Sequence, residues 1–131
     1  MLVRRSFLAL TGAALLAQPA VAVGLHAARK FTPEAFKAAQ DADKSILIEI
    51  TATWCPMCKA QAPVLARVMT NPRFAEYVVF GIDFDAEKEA LRRFEARLPG
   101  TLVVYRGPDE MGRSLGDTDP QSLAALLEMG L

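Results

Sequence analysis

The chain is poor in cysteine and in histidine: Cys55, Cys58 and His26 are the only such residues among 131. One histidine excludes a histidine-rich metal site. With two cysteines and a histidine far up the chain, a closed four-ligand zinc site would need a partner chain. Net charge is also missing, since 15 Lys+Arg face 15 Asp+Glu. Nucleic acid and acidic membrane surfaces both require clustered positive charge, so neither is expected as a partner. There are no internal repeats, no low-complexity tracts, and no unbroken apolar run of the ~20 residues a membrane span needs. What remains is a 52% hydrophobic chain, enough for the single core of one ordinary domain.

The first residues stand apart from the rest. Arg4 and Arg5 precede a mildly apolar segment from Phe7 to about Ala17, then Pro19 and the small residues "AVA" at 20–22. That order is expected of an export signal over 1–22, cleaved after Ala22 in preference to an uncleaved N-terminal anchor, with the domain occupying 23–131. "RRSFL" at 4–8 resembles the twin-arginine export pattern in part, with Val3 and Ala9 departing from it. The mature chain is therefore expected outside the cytoplasm, periplasmic or otherwise exported.

Beyond the tail, "FTPEAFKAAQDADK" (31–44) predicts a helix, with Thr32 as N-cap and Pro33 at the first helical position. "SILIEITA" (45–52) is a continuous apolar run interrupted only by Glu49, as expected of a strand covered on both faces. A helix follows from Cys55, with Ala62, Leu65 and Met69 as its stripe and Pro63 inside it. "YVVFGIDFD" (77–85) predicts a second buried strand. "AEKEALRRFEARL" (86–98) predicts a helix whose core stripe is Leu91, Phe94 and Leu98. "TLVVYRG" (101–107) is a third strand, "RSLG" (113–116) an antiparallel edge strand, and the last residues form a helix capped by Asp119. Helical crossovers imply parallel neighbours, so the expected fold is α/β, a central mixed four-stranded sheet flanked by helices.

The two cysteines lie in "TATWCPMCK" (51–59), at the junction of a strand and a helix. A disulfide closing so short a loop constrains the unfolded chain little. At a helix N-terminus, however, free N–H groups and the helix dipole favour a thiolate on Cys55. Cys58, one turn on, is close enough to form and break a disulfide with it. Redox chemistry is the favoured reading. Soft Cu(I) ligation by Cys55, Cys58 and Met57 is the competing one. Trp54 is expected beside the cysteines, Met57 on an apolar rim, and Lys59 on a solvated helix face.

These residues resemble the thioredoxin superfamily, over nearly all of the chain after the export signal. "ILIEITATWCPMCKAQAP" places Glu49, Trp54, Cys55, Cys58, Lys59 and Pro63 on the family's buried acid, Trp-Cys-x-x-Cys-Lys and helix-kinking proline. The resemblance implies the thioredoxin fold and a thiol-disulfide oxidoreductase that exchanges its dithiol with protein thiols and disulfides. Its cofactor is the redox-active Cys55–Cys58 pair itself, without a metal. Cys55 is implied as the nucleophile, Cys58 as the resolving cysteine and Glu49 as a proton acceptor for Cys58, with Trp54, Pro56 and Met57 on the docking face. Glu49 departs from the family's more common Asp.

A second departure lies in "RLPGTLVVY" (97–105). The family has a cis-proline immediately before this strand. Aligning Thr101 with the family threonine puts Gly100 at that position and Pro99 one residue early. Leu98-Pro99 can adopt cis far more cheaply than a non-proline bond, so Pro99 is taken as the counterpart, with Gly100 as the alternative; both are assigned to docking. Direction is expected to be reducing or exchanging, coupled to a membrane electron donor or acceptor. Pro56 resembles the oxidising members, whose large helical insertion this chain has no room for. The alternative from another class is a non-enzymatic thioredoxin-fold module for copper delivery or subunit assembly.

Overall fold

A computed structural model of the chain describes residues 28–131; the expected export signal over 1–22 and His26 lie outside the described residues. The elements run β1 (Arg29–Lys30), α1 (Pro33–Asp41), β2 (Ser45–Thr51), α2 (Pro56–Val68), a 3-10 turn (Pro72–Phe74), β3 (Val78–Asp83), α3 (Lys88–Arg93), β4 (Thr101–Arg106), β5 (Asp109–Leu115) and α4 (Pro120–Glu128). The sheet order is β1-β3-β2-β4-β5. β1 and β2 pair with β3 in parallel, whereas β4 is antiparallel to both β2 and β5.

The four expected strands are present, and β1 makes a fifth. Its two residues, Arg29 and Lys30, are exposed and charged, so no apolar pattern announces it. It is held through its backbone against Phe80 and Gly81. β5 begins at Asp109, earlier than expected. The turn is confined to Gly107 and Pro108, and the exposed charges of β5 suit a sheet edge.

The apolar run of β2 is continuous because both faces are covered. Ile46, Ile48 and Ile50 pack with Phe31, Phe36, Phe80, Phe94 and Val103 on one side. Leu47 packs with Leu65 of α2, Leu102 and Val104 of β4, and Leu123, Leu126 and Leu127 of α4 on the other. The first side is rich in tilted and edge-on aromatic pairs, including Phe31–Phe94 at 5.2 Å and Phe36–Tyr105 at 5.3 Å between ring centres.

Helix ends explain the remaining differences. α3 stops at Arg93, well short of the expected residue 98. Phe94 is its C-cap, Glu95 turns left-handed at φ 52°, and the Ala96 and Glu95 amides bond back to Leu91 and Arg92. This is a Schellman closure with a glutamate where glycine is usual, so the sequence carries no glycine stop signal. α1 ends the same way, with Asp43 at φ 53°. Leu91 and Phe94 are buried, but Leu98 falls beyond the turn and is 53% exposed. The stripe of α2 is Cys58, Gln61 and Leu65; Ala62, expected in it, lies off that face and is exposed.

Parallel crossover also fails at β4. The connection from β3 to β4 ends at the pole where it began, because β4 runs antiparallel to β2 while β3 runs parallel to it. β4 therefore starts at the same end of the sheet at which β2 and β3 finish. This brings the segment before β4 to the Cys55 pole, where the Gly100 amide bonds to the Ile50 carbonyl at 2.7 Å.

Candidate active site

At the end of β2 the chain turns through Ala52, Thr53 and Trp54, closed by a bond from the Cys55 amide to the Ala52 carbonyl at 3.2 Å. Cys55 has extended backbone and is the N-cap of α2, with Pro56 at the first helical position. Its sulfur accepts a hydrogen bond from the Cys58 amide at 3.1 Å. Proline at that position lacks an N–H of its own, so the Cys58 amide is among the first donors the helix can offer. The arrangement stabilises negative charge on Cys55 through both the bond and the helix dipole.

Cys55 and Cys58 form a disulfide, with Cα atoms 5.3 Å apart. Both are buried, at 3% and 7% exposure, and they pack with Ala52 and Phe84. By the alternation of β2, Glu49 shares the face of Leu47, the side covered by α2. It is buried and sits between Gly81 of β3 and Leu102 of β4. The carboxyl expected inside the strand therefore does lie on the side of the sheet that carries the cysteine helix.

Trp54 is 56% exposed. Its indole N–H donates to the Asp85 carboxylate at 2.8 Å, and its ring meets Phe84 edge-on at 6.3 Å. Pro56 and Lys59 are exposed as well. Asp85 is missed by sequence reasoning, although the polar "DFD" end of β3 marks where such a partner would lie.

Met57 reaches the other way. Its side chain rests on two glycines, Gly100 (φ 88°) and Gly116 (φ 66°), which a hydrogen bond from the Gly116 amide to the Gly100 carbonyl joins at 3.0 Å. A Cβ on Gly116 would lie 2.0 Å from the Met57 sulfur. Gly100, one of the two docking residues expected before β4, meets Met57. Pro99 is buried just before it, and no peptide bond among the described residues is cis. Gln61 is the second residue sequence reasoning missed. It is buried in α2, and its amide donates to the carbonyls of Gly100 at 3.3 Å and Asp117 at 3.0 Å. A polar residue three after Cys58, on the helix face that turns inward, was the available signal.

Among the described residues no three His, Cys, Asp or Glu side chains gather as metal ligands, and no helix is long and apolar enough to cross a membrane. A buried disulfide at a helix N-terminus, with a carboxyl beneath that helix, is an arrangement for dithiol exchange. The thioredoxin family profile matches residues 27–129. The chain belongs to the thioredoxin family. The crystal structure of Trxlp from Edwardsiella tarda superposes with a TM-score of 0.74 at 34% identity, covering 77% of this chain and 98% of that one. Thioredoxin H-type from Brassica campestris is 28% identical over 92 residues, 70% of this chain and 73% of its own length. Thioredoxin from Mycobacterium tuberculosis is 32% identical over 74 residues, 56% of this chain and 63% of its own. With the Cys55–Cys58 pair in place, this thioredoxin-family chain is a protein thiol-disulfide oxidoreductase.

Proposed function

We propose that the protein is an exported reductant or exchanger of protein disulfides, working through Cys55 and Cys58. The observation that carries the reading is Cys55 at the N-cap of α2 with the Cys58 amide 3.1 Å from its sulfur. In the reduced protein the Cys55 thiolate attacks a sulfur of the partner disulfide. One Cys55–partner bond forms, the partner's own S–S bond breaks, and the released partner sulfur takes up a proton. Cys58 then gives its proton towards Glu49 and attacks the Cys55 sulfur. The mixed disulfide breaks, the partner leaves as a dithiol carrying two electrons, and the Cys55–Cys58 disulfide remains. Trp54, Pro56 and Met57 are the exposed surface against which the partner docks, with Gly100 beneath Met57 and Pro99 buried just before it.

Export rests on the twin-arginine-like segment over 1–22, and a membrane electron donor would restore the dithiol. Insulin reduction with dithiothreitol tests the activity: wild type accelerates it, Cys55→Ser does not, and Cys58→Ser accumulates the mixed disulfide. A Cys55–Cys58 couple near about −270 mV supports the reducing direction, whereas one near about −120 mV makes the protein an oxidant. Retention of Cu(I) without any cysteine-dependent turnover would instead favour the metal-delivery module.

A further inference from the structure

Gln61 stands in the middle of the buried stripe of α2, one turn beyond Cys58, and is only 2% exposed. An amide taken that far from water needs partners. It finds two backbone carbonyls in different segments: Gly100, which enters β4, and Asp117, which follows β5. Both segments turn through left-handed glycines, Gly100 and Gly116, and the Met57 side chain is seated on those two residues. The Gly100 carbonyl takes a second bond, from the Gly116 amide. One side chain on the cysteine helix thus ties together both walls of the notch that holds Met57.

We propose that Gln61 is a positioning residue for disulfide exchange. It keeps the Gly100–Gly116 notch closed under Met57, and through Met57 it sets how freely reagents reach Cys55. The inference rests on the oxidoreductase reading above. Cys55 is buried in the oxidised protein, so exchange requires the loop around it to yield; Met57, in the first turn of α2, is anchored on the Gly100–Gly116 notch on one side of Cys55, as Trp54 is on Asp85 on the other. With the notch held, the loop yields to a protein that engages the rim. With the notch loose, a small thiol enters unaided.

The test compares reduction of the Cys55–Cys58 disulfide by dithiothreitol with turnover of insulin. Gln61→Met keeps the length of the side chain and removes its N–H donors. It is expected to speed the dithiothreitol reaction about fivefold, the equivalent of one ordinary hydrogen bond, and to raise KM for insulin while kcat changes little. Met57→Ala is expected to speed the dithiothreitol reaction as well, and the double variant to be no faster than Met57→Ala alone, because the two residues act on one element. Wild-type rates in Gln61→Met, or effects that multiply in the double variant, overturn the proposal. Gln61→Glu is a second route should Gln61→Met fold poorly. Its carboxyl donates only when protonated, so the ratio of dithiothreitol to insulin rates, taken relative to wild type, should fall towards one as pH is lowered. A ratio flat with pH counts against the proposal. Should the wild-type protein reduce no insulin, the reducing direction proposed above fails on its own, and the dithiothreitol rates still decide the role of Gln61.

Discussion

Gly116→Ala puts the Met57 seat to an energetic test. The new Cβ would lie 2.0 Å from the Met57 sulfur and 2.9 Å from its Cγ and Cε atoms, so the side chain must leave. Two costs add. Holding alanine at φ 66° costs about 1 kcal/mol, at the low end of the left-handed penalty. Met57 is 44% exposed, so expulsion forfeits roughly half of the ~2 kcal/mol that full burial of a methionine contributes. Stiffening of the unfolded chain works the other way and offsets several tenths of a kcal/mol of that loss. The net is about 1.5 kcal/mol, or roughly 7 °C in Tm for a domain of this size. Gly81→Ala is the control, because its Cβ would meet Ala28 at an ordinary 3.4 Å and the Arg29 carbonyl oxygen at 3.9 Å; it should change Tm by no more than about 2 °C. Thermal unfolding of the oxidised proteins by circular dichroism reads both. In the Gly116→Ala/Met57→Ala double variant the steric share should vanish and the backbone share remain, so the loss falls short of additivity. Equal Tm values for Gly116→Ala and Gly81→Ala would refute the seating of Met57 and every role assigned to it.

Other variants probe the core, the edge of α4 and the rim. Phe94 is 1% exposed and packs on Phe31, Phe36 and Tyr105, so Phe94→Ala should cost about 4 kcal/mol in urea unfolding; a loss below about 2 kcal/mol would contradict the packing. Burial pushes the Tyr77 hydroxyl well above the ordinary tyrosine range. Its raised pKa contributes stability that is complete below the unfolded value and lost as pH climbs past about 10. Tyr77→Phe should flatten part of that alkaline loss, leaving the share due to Tyr105, which burial also raises; an unchanged alkaline limb in chemical denaturation would deny it. Trp54 is the only tryptophan and bonds to Asp85. Asp85→Ala should therefore shift indole emission and speed its quenching, and an unaltered spectrum would show that the bond does not hold the ring.

The cysteine site was legible in sequence because it is local. A strand, a turn, Cys55 as cap, Pro56 at the first position and Cys58 one turn on lie within one short segment, and the burial of Glu49 followed from its place in an apolar run. The strands read well for the same reason, since continuous apolar runs report two covered faces. The failures lie where no residue carries the signal. β1 has no apolar pattern to announce it, and α3 ends on a left-handed Glu95 in place of glycine. Leu98 was assigned to the core because the helical period was run through a turn that its own residues do not announce. Gly116, Asp85 and the partners of Gln61 are far from the cysteines in sequence; the parallel pairing of β2 with β3 brings Asp85 close, and the antiparallel β4 and β5 bring the others.

The antiparallel β4 separates two properties of the molecule by when they arise as the chain folds. Cys55 and Cys58 are three residues apart and meet in almost any compact conformation, so a newly made or partly unfolded chain can already be oxidised. The seat of Met57 spans residues 57, 100 and 116 and exists only once the β4–β5 hairpin has docked on β2. Contacts of such sequence separation form late and open early. A chain that has lost its hairpin would therefore still hold a reactive disulfide, now open to any thiol, and discrimination among partners would disappear before the chemistry does.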